Sequence, residues 1–86
     1  MTKVTIRYWA AAKAAAGTAE EIVQADTLAA ALAEAVARRE ADSQLPAVLA
    51  RSSFLVDGSA VGGRAADSVP LPEGAVIEVL PPFAGG

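Results

Sequence analysis

The segment Leu80-Pro81-Pro82-Phe83-Ala84-Gly85-Gly86 holds the residues whose types and spacing suit a reaction. Gly85 and Gly86 lack Cβ atoms, so this strip is thin enough to thread a narrow tunnel and free to take whatever φ the tunnel imposes. A C-terminal carboxylate, with a pKa of about 3.3–3.7, is an anion at neutral pH and a poor electrophile. If a partner transfers AMP to it, it becomes a mixed anhydride with a good leaving group. A sulfur nucleophile then displaces AMP and leaves a terminal thiocarboxylate, a nucleophile and a portable sulfur source. Gly86 is the reacting residue of this scheme and Gly85 its slender neighbour. Phe83 offers an apolar anchor, and Pro81-Pro82 biases the run to an extended course. From Pro81 to Gly86 the reach is at most roughly 20 Å, at ~3.3 Å per residue.

Other chemistries have little material. The 86 residues include no cysteine and no histidine. Thiolate catalysis, disulfides, cysteine metal sites and every Ser-His arrangement are therefore excluded. Ser43, Ser52, Ser53, Ser59 and Ser68 have no evident activator. Gly62-Gly63 is followed by neither a lysine nor a helix start and reads as loop. The net charge is −3 and no basic stripe exists, so nucleic acid is an unlikely partner on charge grounds. Arg38-Arg39 reads as a solvated helix face. The N-terminus runs directly into a strand pattern, with no signal peptide and no apolar run of membrane-spanning length, which points to the cytoplasm. A chain this short has one thin core and little room for a cleft of its own, which favours a function that borrows a partner's pocket.

The elements that must position the terminal strip follow from periodicity. Residues 3–9 alternate, with Val4, Ile6 and Tyr8 on one face and Thr5, Arg7 and Trp9 on the other, as in a half-buried strand. Residues 10–16 are alanines around Lys13 and are closed by Gly17, a short helical turn. Residues 19–24 read as a second strand, antiparallel to the first. Residues 27–40 form the main helix, capped by Asp26 or Thr27, with Leu28, Leu32 and Val36 in an apolar stripe and Glu34 four residues before Arg38. Residues 41–52 contain Pro46 and read as a loop with one helical turn near Ala47–Ala50. Phe54-Leu55-Val56 is a strand, Asp57-Gly58 a tight turn, and Val61 the start of a short returning strand. Residues 62–72 are irregular. Val76 to Leu80 form the last strand, which Pro81-Pro82 stops.

A sheet must bury one face, and the single amphipathic helix is the element that covers it. The expected fold is α+β: a β-grasp, or ubiquitin-like, arrangement with a mixed sheet of about five strands packed on one main helix. The first and last strands lie parallel at its centre. Residues 1–80 make the domain and residues 81–86 a flexible tail. The expected core is Val4, Ile6, Tyr8, Leu28, Leu32, Val36, Phe54, Val56, Ile77 and Val79. On the opposite face Trp9 falls beside Val76 and Leu80, a docking patch next to the tail, with Arg7 and Glu78 paired at its rim.

Three stretches resemble the MoaD/ThiS family of sulfur carriers: Val4-Thr5-Ile6-Arg7-Tyr8-Trp9-Ala10 with the alanine turn to Gly17, Thr27-Leu28 at the helix start, and Leu71 through Gly86 with its Pro-Pro-x-x-Gly-Gly end. Within the family the chain looks most like the small subunit of molybdopterin synthase. The resemblance implies adenylation of Gly86 by a ubiquitin-activating-enzyme-like (MoeB-type) adenylyltransferase that consumes ATP. It then implies conversion to a thiocarboxylate and sulfur donation to cyclic pyranopterin monophosphate in the active site of the large (MoaE-type) synthase subunit. The carrier would bind no cofactor and have no catalytic centre of its own. Trp9, Leu80, Pro81, Pro82, Phe83 and Ala84 would contact these partners. Thiamin, cysteine or tRNA thiolation are the rival pathways, and a ubiquitin-like modifier joined to lysines through Gly86 is the rival class.

Overall fold

The alternation in residues 3–8 becomes strand β1 (Lys3–Tyr8), whose Val4, Ile6 and Tyr8 are buried. The computed structural model describes residues 2–82. Chain order continues with α1 (Ala10–Ala16), β2 (Glu20–Gln24), α2 (Leu28–Ala37), α3 (Leu45–Arg51), β3 (Ser53–Val56), β4 (Ser59–Ala60) and β5 (Val76–Leu80). A single 3-10 turn spans Ala66–Ser68. The strands form one mixed sheet in the order β2-β1-β5-β3-β4. β1 pairs antiparallel with β2 and parallel with β5, and β3 pairs antiparallel with both β5 and β4. This is the expected β-grasp, with the first and last strands parallel at its centre.

Local chemistry accounts for the boundaries. Gly17 closes α1 in the left-handed conformation, with φ 79°, and its N–H donates to the Lys13 carbonyl. Thr27 caps α2 by accepting from the Ala30 N–H at 3.2 Å, the second of the two caps expected. The helix ends at Ala37, three residues short of the expected 40, with Arg38 at its C-cap. Asp57 and Gly58 both have positive φ, 49° and 83°, as a type I′ hairpin turn demands. The short returning strand is Ser59–Ala60, and Val61 follows it rather than beginning it.

Two connections read as loop contribute to the core. Residues 45–51 form a full two-turn helix, where one turn was expected, because Pro46 stands in the first turn, where its missing N–H has no helical partner to lose. Leu45, Val48 and Leu49 on α3 are buried, and α3 packs beside α1. Irregular residues 62–72 add Val69 and Leu71 to the core and tie down the start of α2: the Leu28 N–H donates to Val69 and the Leu71 N–H to Asp26.

Six of the ten expected core residues are fully covered: Val4, Ile6, Tyr8, Leu28, Ile77 and Val79. Leu32, Val36, Phe54 and Val56 are only half-buried against that core. On α2 the covered stripe is Leu28, Ala31 and Ala35, because alanines let the helix sit close to the sheet. Leu32, Val36, Leu49 and Phe54 instead line a shallow apolar groove between α2 and α3. Among the described residues no helix is long and apolar enough to cross a membrane.

Candidate functional site

Trp9 sits where β1 turns into α1. Its backbone is extended, its N–H donates to the Val79 carbonyl at 3.3 Å, and its own carbonyl accepts from Ala12 and Lys13, the first hydrogen bonds of α1. Ala10 then makes the bend with φ 49°, in the left-handed region that costs a residue with a Cβ roughly 1–2 kcal/mol. The indole is 49% exposed, and its Nε1–H donates to a Glu78 carboxylate oxygen at 3.1 Å, laying the ring toward β5 on the sheet's outer face.

Register builds the rest of that face. Val76, Glu78 and Leu80 on β5 alternate with the buried Ile77 and Val79 and are half-buried. Leu55 on β3 stands opposite Glu78, and Ile22 on β2, 60% exposed, stands opposite Thr5. Trp9, Leu80, Val76, Leu55 and Ile22 therefore share the outer side of the sheet, interleaved with Arg7, Glu20 and Glu78, with Trp9 at one end. Ile22 escapes a sequence reading because it lies in a consecutive apolar pair, where alternation cannot say which residue faces out, whereas Leu55 follows from the expected burial of Phe54 and Val56.

The expected Arg7–Glu78 pair does not form. The two residues are strand partners, but Glu78 is occupied by Trp9, and Arg7 turns to Glu20 on β2 at 3.4 Å. Both members of that pair are about half exposed, so it adds little stability.

The chain leaves the sheet beside Trp9. β5 ends at Leu80, opposite Ser53, with Pro81 half-buried and Pro82 exposed; neither proline offers an N–H to extend the ladder. The structure thus brings together Trp9, Leu80 and the start of the terminal segment. The reactive and tail positions Phe83, Ala84, Gly85 and Gly86 lie outside the described residues. Among the described residues no group of three or more acidic side chains is placed to hold a metal ion.

Behind Trp9 lies a charged cluster that the sequence does not announce. The Tyr8 hydroxyl donates to Glu21 Oε2, Arg39 Nη2 reaches the same oxygen at 2.8 Å, and Arg38 Nη1 lies 3.3 Å from Oε1. Arg38 also meets Glu34 at 3.5 Å, the expected i,i+4 pair. Arg39 is not the solvated residue expected. Its side chain is 13% exposed and stacks over the Tyr8 ring at 5.6 Å, and it donates to the carbonyls of Ala35 and Ala16, the last turns of α2 and α1. Burial opposes charge on Glu21, but hydrogen bonds from Tyr8 and Arg39 outweigh it and hold the carboxyl below its usual value. Burial, reinforced by the Glu21 carboxylate, pushes the Tyr8 phenol well above the usual tyrosine value. Residues 8, 21 and 39 are too far apart in sequence for spacing to reveal this.

A sequence model of the ThiS family matches residues 6–86. No curated protein sequence matches the chain. Among solved structures, small archaeal modifier protein 1 from Methanosarcina acetivorans superposes with a TM-score of 0.76 at 19% identity, covering 100% of this chain and 98% of that one. A chain in the complex of subunits 1 and 2 of molybdopterin-converting factor from Helicobacter pylori gives 0.70 at 22% identity, covering 99% and 100%. Small archaeal modifier protein 1 from Haloferax volcanii gives 0.71 at 20% identity, covering 96% and 100%. At these identities the structural likeness establishes the shared ubiquitin-like fold.

Proposed function

Since the chain belongs to the ThiS family, we propose that it is a sulfur carrier whose mature C-terminus, Gly86, is adenylated and then converted to a thiocarboxylate. A MoeB-type adenylyltransferase docks on the Trp9–Leu80 face and takes the terminal strip into its own active site. The Gly86 carboxylate oxygen attacks the α-phosphorus of ATP, forming the acyl adenylate and releasing pyrophosphate. Hydrosulfide then attacks the acyl carbon, AMP leaves with the bonding pair, and a thiocarboxylate remains. In transfer, that sulfur attacks an electrophilic carbon of the acceptor, whose carbon–oxygen bond breaks and whose oxygen leaves with the bonding pair. Hydrolysis of the acyl–sulfur bond leaves sulfur on the acceptor and restores the carboxylate.

One observation carries this reading: the exposed indole of Trp9 is held by Glu78, and its backbone N–H by the Val79 carbonyl, at the point where the central strand releases the chain toward Gly86. An apolar anchor beside a strand exit lets a partner grip the domain outside while the tail enters it. The acceptor in this reading is cyclic pyranopterin monophosphate, held by a MoaE-type subunit. The likeness to a chain from the Helicobacter pylori complex of subunits 1 and 2 supports it. The equally good superposition on small archaeal modifiers favours a second use of the same adenylate, in which a lysine amine displaces AMP and forms an isopeptide bond.

The test is incubation with a MoeB-type enzyme, ATP and sulfide, followed by intact-mass measurement. A sulfur carrier gains the mass difference between sulfur and oxygen at its terminus. Isopeptide adducts on other proteins identify a modifier instead. An unchanged mass, or a mature chain extending beyond Gly86, refutes both. Adding the MoaE-type subunit and cyclic pyranopterin monophosphate to loaded carrier then tests the acceptor, with return of the carboxylate mass as the positive result.

A further inference from the structure

We infer that Glu21 is a positioning residue: through Arg39 it clamps the C-terminal end of α1 and so holds Trp9 in its exposed, docking-ready orientation. The docking half rests on the reading above; the clamp stands on geometry alone.

Helix α1 is held mostly by small side chains: Ala12 is buried, Ala15 and Ala16 pack against the core, and α3 lies beside it. Helix α1 is seven residues long, six of them alanine, with Ala12 its one buried residue. A helix this short is marginal in isolation, and alanine burial contributes little. Its N-terminal side begins with a left-handed alanine, Ala10, and such strain persists only where the surroundings over-determine the backbone. Two anchors do so. At one end the Trp9 N–H is held by the Val79 carbonyl. At the other the Ala16 carbonyl accepts from Arg39 Nε at 3.2 Å and Nη2 at 3.0 Å. Arg39 in turn is aimed by Glu21 at 2.8 Å and by the Tyr8 ring beneath it. Guanidinium geometry matters here, because one planar group reaches two helix ends and a carboxylate at once.

Among the described residues, the charged and titratable groups that meet Glu21 are Tyr8 from β1 and Arg38 and Arg39 just after α2, with Glu34 behind Arg38. Losing the carboxylate charge therefore releases the arginines rather than exposing Glu21 to a substitute cation. The strained bend at Ala10 then loses its anchor at the far end of α1, and the backbone that carries the indole loosens, leaving the Glu78 hydrogen bond to hold the ring alone.

Trp9 is the single tryptophan, so its fluorescence reports on the bend without a partner. Two variants, Glu21→Gln and Arg39→Lys, are compared with the parent chain. The second keeps a cation opposite Glu21 but cannot make the forked contact with Ala16. Both are expected to lower Trp9 anisotropy and to speed amide exchange at Lys13 and Gly17 about tenfold, with Ile6 and Ile77 unchanged. In adenylation assays the KM for the carrier rises several-fold at constant kcat. Equal acceleration of exchange at Gly17 and Ile77 overturns the clamp, because Glu21 then supports the fold as a whole; so does parental anisotropy in both variants. Loosened α1 with an unchanged KM overturns the docking half and leaves the clamp standing. Loss of the terminal mass gain in the parent chain instead refutes the carrier reading alone.

Discussion

The Trp9 indole N–H and the Glu78 carboxylate meet at 3.1 Å across the two parallel central strands. The contact turns the exposed side chain that follows β1 onto the outer face and withdraws Glu78 from Arg7, its strand partner. An aromatic held in one orientation before binding loses little rotamer entropy on docking, which is what makes such residues energetic anchors.

Trp9→Ala is therefore expected to weaken binding to the activating enzyme by about 2 kcal/mol, roughly thirtyfold. Unfolding stability should change by less than about 1 kcal/mol, because the side chain is half exposed. Calorimetric titration against the enzyme and urea unfolding of the variant measure the two. A large stability loss with intact binding would place Trp9 in the core's service instead.

Deletion of Gly86 is expected to abolish sulfur loading while leaving the urea midpoint unchanged. Intact mass and denaturation measured on the same sample decide it; unfolding of the truncated chain would make the tail structural.

Stability should depend on pH at both extremes through one cluster. The folded-state value of Glu21 is lowered, so its contribution is complete above the unfolded carboxyl value, about 4.3, and declines as pH falls through the folded value. The Tyr8 value is raised, so its contribution is complete below about pH 10 and is lost as pH climbs from there toward the folded value. Urea unfolding across pH should show Glu21→Gln flattening the acid limb and Tyr8→Phe flattening the alkaline one. A parental slope in either variant would contradict the assignment.

The β3–β4 turn should be sensitive to small changes. Asp57 has φ 49° and accepts the Val76 N–H at 2.9 Å, while Gly58 has φ 83°. Asp57→Ala is expected to cost about 1–2 kcal/mol and Gly58→Ala about 1 kcal/mol, with Asp57→Asn close to neutral because asparagine tolerates the same conformation. Thermal melting of the three variants checks the order.

Leu45→Ala should cost about 2–5 kcal/mol, since Leu45 is fully buried on α3. A loss below about 1 kcal/mol would mean that the α3 segment is the loop its proline suggests.

Several features were legible because they depend on neighbours in sequence. The period-2 pattern of residues 3–8, the Thr27 cap, the Asp57-Gly58 turn and the stop at Pro81 are each written within a few residues, and a single amphipathic helix left few ways to cover the sheet. Helix α3 is also encoded, in Leu45, Val48 and Leu49 at i, i+3 and i+4, but Pro46 reads as a loop signal although the first helical turn tolerates it. The chemistry assigned to Gly86 rests on sequence and family, since that residue lies outside the described region.

What the chain alone determined, then, is the order of its strands and main helix, the ThiS-family membership and the Pro-Pro-x-x-Gly-Gly sequence of residues 81–86. Tertiary structure decided which partner each charge takes. Glu78 chose Trp9 over Arg7, and Arg39 became a mostly covered clamp between Glu21, Tyr8 and two helix ends. The reason is physical. Hydrophobic period and backbone capping act over a few residues, whereas an ion pair or a forked hydrogen bond depends on distances of a few ångströms between atoms that only folding brings together.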